Sequence, residues 1–581
     1  MKKGIFKNRI GELIASVILG FLEVLALSMY YRDSLSFWTK SFATVLIFLG
    51  IWIVCAALIY LFFCLIQFLL RPDRIAGGTL PSKRRKSFAD RHPFLLSVIV
   101  LTVFYLPWII IFYPGSAIYD MMYQTVQADG FMAINAHHPI FATYVIGLCS
   151  KIGLWITGRL NLGIFLYILL QTAVCIFAFS YMISFMAKRG IRKGFWLFSL
   201  GFLAIPPLWG GAMQCGTKDT MFTGLFVFFL VLSARLLLDE GRSFRIRTWI
   251  VYGLSILVLC LYRNAILVIM IPTLVLFFLF LKKKSSAQEN VQKDGRKTIK
   301  KTQSRGILLL CGLAAIIIAA AFGTVTKNVY HTKTESGEIL SLPFQQTARY
   351  VRDHAEEMTE EEQKLIETTF DVENYEELGK LYYPMSSDPV KARYHWWASD
   401  KEKQQMADYF SGWFSMMKKH PGTYAEAAVA QTYGYYSITP VIKNQKGGAG
   451  TTVQFGPDEL AVRNVIDHSD GTLSEELIPE SPKALKGAQE VLKDWYFLWQ
   501  KVPVLDLFSK CGFYFYILLA VTIWHAKRKN RLILLTVPAF LLILMAIASP
   551  VNEHIRYILP AVAALPLMIS AAAAEHIKNS N

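Results

Sequence analysis

The chain has 581 residues, of which 54% are hydrophobic, 14% aromatic and only 18% charged. Soluble domains carry about 25% charged and about 45–50% apolar residues, so an ordinary soluble protein is excluded. The formal net charge of +18 does not imply nucleic acid either. The basic residues sit in short clusters between apolar runs, and no nucleic-acid-binding motif accompanies them.

Crossing a bilayer takes roughly 20 apolar residues. Runs near that length occur at 10–30, 41–70, 94–112, 162–186, 194–209, 220–238, 248–262, 264–281, 306–323, 507–525, 531–548 and 556–575. This predicts an all-α polytopic membrane protein with about twelve transmembrane helices. The first run follows Lys2-Lys3, but Glu12 and Glu23 interrupt it and no small-residue cleavage site follows, so it reads as a retained anchor.

The clusters Lys83-Arg84-Arg85-Lys86, Lys188-Arg189, Arg192-Lys193, Lys282-Lys283-Lys284 and Lys527-Arg528-Lys529 all fall on one side when the N-terminus is cytoplasmic, the positive-inside pattern. Both termini of this cell-membrane protein are then cytoplasmic. Connections 113–161, 210–219, 263, 324–506 and 549–555 lie outside. The segment 139–156 has an apolar core of only about 12 residues before Lys151, short for a span. It is expected to lie in or dip into the outer leaflet, started by Pro139.

Four parts follow: an N-terminal hairpin with a basic linker (1–93), a transmembrane core with outer loops (94–323), an extracytoplasmic region (324–506) and C-terminal helices (507–581). Residues 282–305 have the composition of a solvated loop. The 324–506 stretch instead holds enough aromatic residues to bury a core, among them Phe344, Tyr350, Trp396, Trp397, Phe410 and Trp413. Thr359-Glu-Glu-Glu362 is a capping-box start, and 403–419 and 484–500 have helical periodicity. A mostly helical domain is expected, with a flexible loop at Lys446-Gly-Gly-Ala-Gly450. The eight cysteines show no zinc-site spacing and none falls in 324–506, so packing rather than disulfides must hold that domain.

With this topology the polar residues costliest near a bilayer gather on the outer side. The first loop supplies Tyr113, Asp120, Gln124, Asn135, His137 and His138 without any Lys or Arg between 113 and 139. Lys218 and Asp219 open a span, Arg263 and Asn264 interrupt an apolar stretch, and His554 and Arg556 begin the last run. Each also has a plain structural reading. Arg263 could snorkel, Lys218-Asp219 could be an exposed pair, and His137-His138-Pro139 could be an interfacial turn with no third metal ligand. Asp120 is the hardest to dismiss, because Ile118, Tyr119, Met121 and Met122 surround it.

Lys218, Arg263 and Arg556 suit an anionic phosphate, which Arg holds through paired donors. A carboxylate beside an acceptor hydroxyl suits general-base activation. Together they describe sugar transfer from a lipid-linked phosphate donor.

At these residues the chain resembles the GT-C superfamily of membrane glycosyltransferases, in particular a branch of large Gram-positive multispanning proteins. The resemblance rests on Tyr113-Pro-Gly115 with Asp120 and Gln124, and on Asn135-x-His-His-Pro139. It continues through Gly216-Thr-Lys-Asp219, Tyr262-Arg-Asn264, Ser341-Leu-Pro-Phe-Gln-Gln-Thr-Ala-Arg349 and Arg556-Tyr-x-x-Pro560. It covers most of 94–575 and implies a GT-C-like core in 94–323. It also implies catalytic acids at Asp120 and Asp219, and a polyprenyl-phosphate sugar donor. Donor-phosphate binding is expected of Lys218, Arg263 and Arg556. Substrate positioning is expected of Tyr113, Gln124, Asn135, His137, His138, Asn264 and His554. The first loop lacks an Asp-x-Asp or Asp-Glu pair, which leaves a divalent metal open and no cofactor expected with it. The acceptor would be an extracytoplasmic glycan, lipid or protein of the cell envelope, with membrane lipids as the other partner and no nucleic acid. The alternative is a transporter or flippase of lipid-linked glycans, which would place polar residues and broken helices at the bilayer midplane.

Overall fold

A computed structural model describes residues 9–77, 87–241, 243–282, 301–332, 337, 339–394, 402–440, 453–456 and 477–580. The Gly-rich loop at 446–450, Trp396, Trp397 and residues 283–300 of the basic loop lie outside these. Among the described residues the architecture is helical apart from one two-residue parallel ladder. Eight helices are long and apolar enough to cross a membrane, and two bent pairs meet the same criterion jointly. This is an all-α, multi-pass membrane protein.

Helices α1 (Ile10–Arg32) and α2 (Phe42–Leu69) form the N-terminal hairpin. Then come α3 (Pro93–Ile111), β1 (Ser116–Ala117), α4 (Tyr119–Asp129), α5 (Ile140–Thr157) and α6 (Leu160–Lys188). The segment expected only to dip into one leaflet is α5, an 18-residue helix that passes the span criterion. Lys151 does not stop it, because that side chain is exposed on the helix surface. The stop comes at Gly158, whose left-handed φ of 67° caps the helix. Helix α5 then folds back along α6 through small residues. A Cβ on Gly153 would stand 2.2 Å from the Gly163 nitrogen, so the two backbones touch only because side chains are absent.

The pair α7 (Lys193–Ala204) and α8 (Pro207–Gln214) is bent by 50° where Pro206 and Pro207 interrupt the helical bonding. It returns the chain to β2 (Cys215–Gly216) and α9 (Lys218–Asp239). Helices α6 and α9 therefore run the same way. Tyr167 near the start of α6 donates to the Thr217 carbonyl (3.4 Å), while Arg189 beyond its end pairs with Asp239 at the end of α9 (2.7 Å). Helix α9 is the most enclosed of the spans. Next come α10 (Ile246–Tyr262), α11 (Leu267–Lys282) and α12 (Lys301–Tyr330), which runs past the apolar stretch ending at 323.

The region after α12 packs as two units. One comprises α13 (Ser341–His354), α14 (Glu360–Thr369), α15 (Tyr375–Lys380), α16 (Glu402–Lys419) and α17 (Pro421–Thr432) around Phe344, Ile366, Tyr409, Met416 and Tyr424. The capping box forms as its sequence suggests. Thr359 Oγ1 accepts from the Glu362 amide (3.3 Å) and the Glu362 carboxylate accepts from the Thr359 amide (3.1 Å). The other unit is α18 (Lys486–Lys501), whose Tyr496 packs with Val453 and Phe455 on Trp108 and Phe112 at the end of α3. Helices α19 (Cys511–Lys527), α20 (Thr536–Ile547) and α21 (Ile555–Ser580) complete the bundle.

The N-terminal hairpin is integral to this body. Within α1, the Glu23 carboxyl accepts from Ser437 Oγ (2.5 Å), the Ile438 amide (2.9 Å), Thr439 Oγ1 (3.0 Å) and Tyr516 Oη. Four donors from two distant segments thus surround one buried acid.

Candidate functional site

The two-residue ladder positions the site. Ser116 pairs with Cys215 and Ala117 with Gly216 in parallel register, so the chain enters α4 and α9 side by side. Asp120 stands in the first turn of α4 and Lys218 at the first position of α9. Their side chains meet, with Lys218 Nζ donating to Asp120 Oδ2 at 2.8 Å. Ser116 Oγ secures the junction by donating to Gln214 Oε1 (2.6 Å). The Gln214 amide donates to the Gln454 carbonyl (2.8 Å), and the Gly456 amide donates to Ser116 Oγ (2.8 Å).

Two further elements bring cations. Helix α10 ends at Tyr262, and Arg263 follows in extended backbone, placing one guanidinium nitrogen 3.5 Å from Asp219 Oδ1. Arg556, in the first turn of α21, reaches both acids: 3.5 Å to Asp120 Oδ2 and 3.6 Å to Asp219 Oδ2. The Arg263 guanidinium also lies over Phe222 (5.4 Å) and near Tyr557 (6.0 Å). His138 Nδ1 stands 3.3 Å from Lys218 Nζ. Burial, then the neighbouring Lys218, holds the His138 imidazole well below its usual range. His554 is buried against Tyr557, and burial followed by the Arg556 charge pushes it well below as well. Burial alone would raise the Asp120 carboxyl. Lys218, then Arg556 and His138, bring it well below the ordinary carboxylate range.

With both imidazoles neutral, three cations face two carboxylates, 3 − 2, leaving one net positive charge. Several donors there are incompletely used. The Arg263 and Arg556 nitrogens that face Asp219 at 3.5 and 3.6 Å lie outside hydrogen-bond geometry, and His554 Nδ1 is buried without a hydrogen-bond partner among the described residues. Buried N–H groups are normally satisfied. In addition, the N-termini of α4, α9 and α21 all begin here, and helix starts favour anions. The pocket is therefore arranged to receive an anion with several acceptor oxygens. Arg556 stands between the two carboxylates, where a bridging divalent cation would sit. The set as arranged is one of ion pairs rather than a metal-ligand shell.

The other residues singled out from sequence divide into two groups. Asn264 donates to the carbonyls of Ala136 (3.1 Å) and His137 (3.2 Å), pinning the His-His loop over the cluster. Asn135 Oδ1 accepts from the His137 amide (3.2 Å), and the exposed His137 ring packs edge-on against His138. Gln124 and Tyr113 point elsewhere. Gln124, one turn further along α4, donates to Thr143 Oγ1 (3.0 Å) because that face is buried against α5. The Tyr113 ring lies against Phe165, and its carbonyl accepts from Ser481 Oγ (3.0 Å). Sequence reading passed over Ser116, Gln214, Phe222 and Tyr557. Gln214 and Tyr557 directly adjoin the motifs around Lys218 and Arg556, and that adjacency was the available signal.

A second polar group, remote in the fold, involves His354, Glu357 and His420. Glu357 oxygens lie 3.2 Å from His354 Nδ1 and 2.9 Å from His420 Nε2. The two imidazoles stack face to face, 3.6 Å between centroids and 17° between planes. One ligand atom from each of the three lies within 4.8 Å of the others, close enough to hold a metal ion, while the stacked rings share the Glu357 carboxylate.

Fold and site together define a multi-pass helical membrane protein with a half-buried cluster of ion pairs carrying a net positive charge. The chain belongs to a family of unknown function, DUF6020, which it matches over residues 128–581. That stretch includes Lys218, Asp219, Arg263 and Arg556 but begins after Asp120. Searches of curated proteins and of solved structures gave no match.

Proposed function

We propose that this chain is a GT-C-type membrane glycosyltransferase that moves a sugar from a polyprenyl-phosphate donor to an acceptor on the outer side of the cell membrane. The observation that supports this most is the convergence of Asp120, Lys218, Asp219, Arg263 and Arg556, from four separated segments, with guanidinium nitrogens held outside hydrogen-bond geometry. In this reading about twelve segments cross or enter the bilayer, both termini are cytoplasmic, and the 324–506 region lies outside. The basic pairs Arg189–Asp239, Lys193–Asp90 and Arg531–Glu240 then mark the cytoplasmic end.

The donor phosphate sits among Lys218, Arg263 and Arg556, with its lipid tail between helices. As it binds, its oxygens compete with Asp120 for Lys218 and Arg556, and loss of those partners raises the basicity of the carboxylate. The acceptor hydroxyl oxygen then attacks the sugar carbon and its proton passes to Asp120. The bond from that carbon to the phosphate oxygen breaks, and polyprenyl phosphate leaves with the electron pair held by the cations. Attack opposite the leaving group inverts the carbon. Asp219, the second acid that the resemblance implies, pairs with Arg263 and Arg556 and holds them toward the donor phosphate.

The test is Asp120→Asn in the full chain reconstituted in lipid nanodiscs, with radiolabelled polyprenyl-phosphate sugars and an envelope extract as acceptor. Transfer should fall by ~10²–10⁴-fold, the usual size of a lost general base, while polyprenyl-phosphate binding and the unfolding temperature hold. Unchanged transfer, or transport of the donor across a vesicle that survives the substitution, would overturn the proposal in favour of a flippase.

A further inference from the structure

Helix α18 carries an apolar stripe with no covering element among the described residues. Val491, Trp495, Leu498 and Val502 recur at the three- and four-residue spacing that puts them on one face. All four are exposed, Val491 at 68% and Leu498 at 48%. Glu490, Asp494 and Lys501 border the stripe along one side. It is the most strongly amphipathic of the described helices.

The opposite face is firmly packed. Tyr496 is buried against Phe455, Trp108 and Phe112, and Gln489 Nε2 donates to the Ile111 carbonyl (2.9 Å). Helix α18 is thereby fixed at the terminus of α3. The other side of that helix exposes Val103, Leu106 and Ile110 in the manner of a lipid-facing span. Beyond α18 the segment Pro503–Ser509 exposes Val504 and is bent 78° away from the span α19. A chain that meets its next span at nearly a right angle runs along the membrane surface before entering it.

We infer that α18 lies in the plane of the bilayer surface, with Val491, Trp495, Leu498 and Val502 immersed among lipids and its acidic edge in water. The occupant is bilayer lipid, because the chain leaves α18 through Pro503–Ser509, which meets the span α19 at 78° as a surface segment does. Trp495 and Trp499 meet edge-on, and tryptophan concentrates at membrane interfaces. The immersed helix also bears on the site. Its inner face seats Val453–Gly456, and that segment holds Ser116 and Gln214 through the bonds described above. Lipid contact on one face of α18 thus supports the junction that brings Asp120 to Lys218, whatever reaction the site performs.

The test compares Leu498→Cys with Asp494→Cys in the full chain in lipid nanodiscs, with labelling of the unsubstituted chain subtracted for its native cysteines. A membrane-impermeant maleimide should label position 498 at least about tenfold more slowly than position 494, as expected for a face withdrawn from water into the interface. A permeant environment-sensitive fluorophore at 498 should be quenched by lipids spin-labelled near the headgroup more than by lipids labelled near the chain end. Equal labelling rates would show an open, aqueous face. Slow labelling without lipid quenching would show a protein cover. Either result overturns the inference, and neither depends on glycosyl transfer.

Discussion

Two buried acids in this molecule meet opposite treatment. Glu23, inside α1, receives four hydrogen bonds. Asp120 shares two cations with its surroundings, and beside it Arg263 and Arg556 hold buried nitrogens that meet Asp219 only at 3.5 and 3.6 Å, outside hydrogen-bond geometry. A saturated polar knot specifies how helices assemble. An undersaturated one holds capacity for something that arrives later. Burial of charge alone does not mark a site; the unused donors do.

The contrast can be broken by substitution. The largest effect is expected at Glu23→Ala, which strands Ser437, Thr439, Tyr516 and the Ile438 amide. Each buried donor left unsatisfied costs about 1–3 kcal/mol. Thermal unfolding in detergent should show that loss, while the folded fraction binds polyprenyl phosphate as before. Arg556→Gln should do the reverse. Losing a charged hydrogen-bonding group at a ligand weakens binding by about 1.5–3 kcal/mol, read as weaker capture of polyprenyl phosphate in a titration, with little change in unfolding temperature. If both variants chiefly unfold the protein, the two regions are alike and the distinction fails.

Acidity sharpens the comparison further. His138 and His554 are held low by burial, so the folded chain keeps them neutral while the unfolded chain gains protons below pH ~6.5. Stability must therefore fall as pH drops through that value, by up to about 1.4 kcal/mol per pH unit for each ring. Asp120 acts in the same sense further down. Its carboxyl is held low, so its stabilisation is complete above the unfolded range near ~4 and is lost as the folded group protonates below it. Chemical denaturation at pH 7.5, 6.5 and 5.5 should reveal the first slope. Replacing His138 and His554 by Gln should flatten it.

Much of the candidate site was legible because charge is so costly between apolar runs. Arg263 interrupts such a run, Asp120 lies in the loop after one, and Lys218 and Arg556 stand where the next ones begin, and a consistent topology places these positions at one level. Helix starts were equally readable, as at Thr359. What stayed hidden depended on partners far away in sequence. Glu12 and Glu23 looked like defects in an N-terminal run, yet Lys527 pairs with the first and a cage from 437–439 and Tyr516 receives the second. The bounds of α5 were legible within a residue, but its apolar core was counted only to Lys151, and a lysine on an exposed helix edge does not interrupt a helix. Gln124 was placed at the pocket because it shares a loop with Asp120, but α5 claims that face. Nothing in composition separated α18 from the aromatic unit at 341–435, since only the docking on α3 distinguishes them.

Arg349 has a mechanical consequence. Fully buried, it donates to Asp33 Oδ1 (2.8 Å), Glu426 Oε2 (2.8 Å) and Tyr382 Oη (3.0 Å), and Arg352 adds a second grip on Asp33 (2.8 Å). Asp33 closes the turn after α1, so the helical layer above the bundle is bolted to the first hairpin. That flank behaves as a rigid hinge post. Any movement of that layer must therefore carry the first hairpin with it.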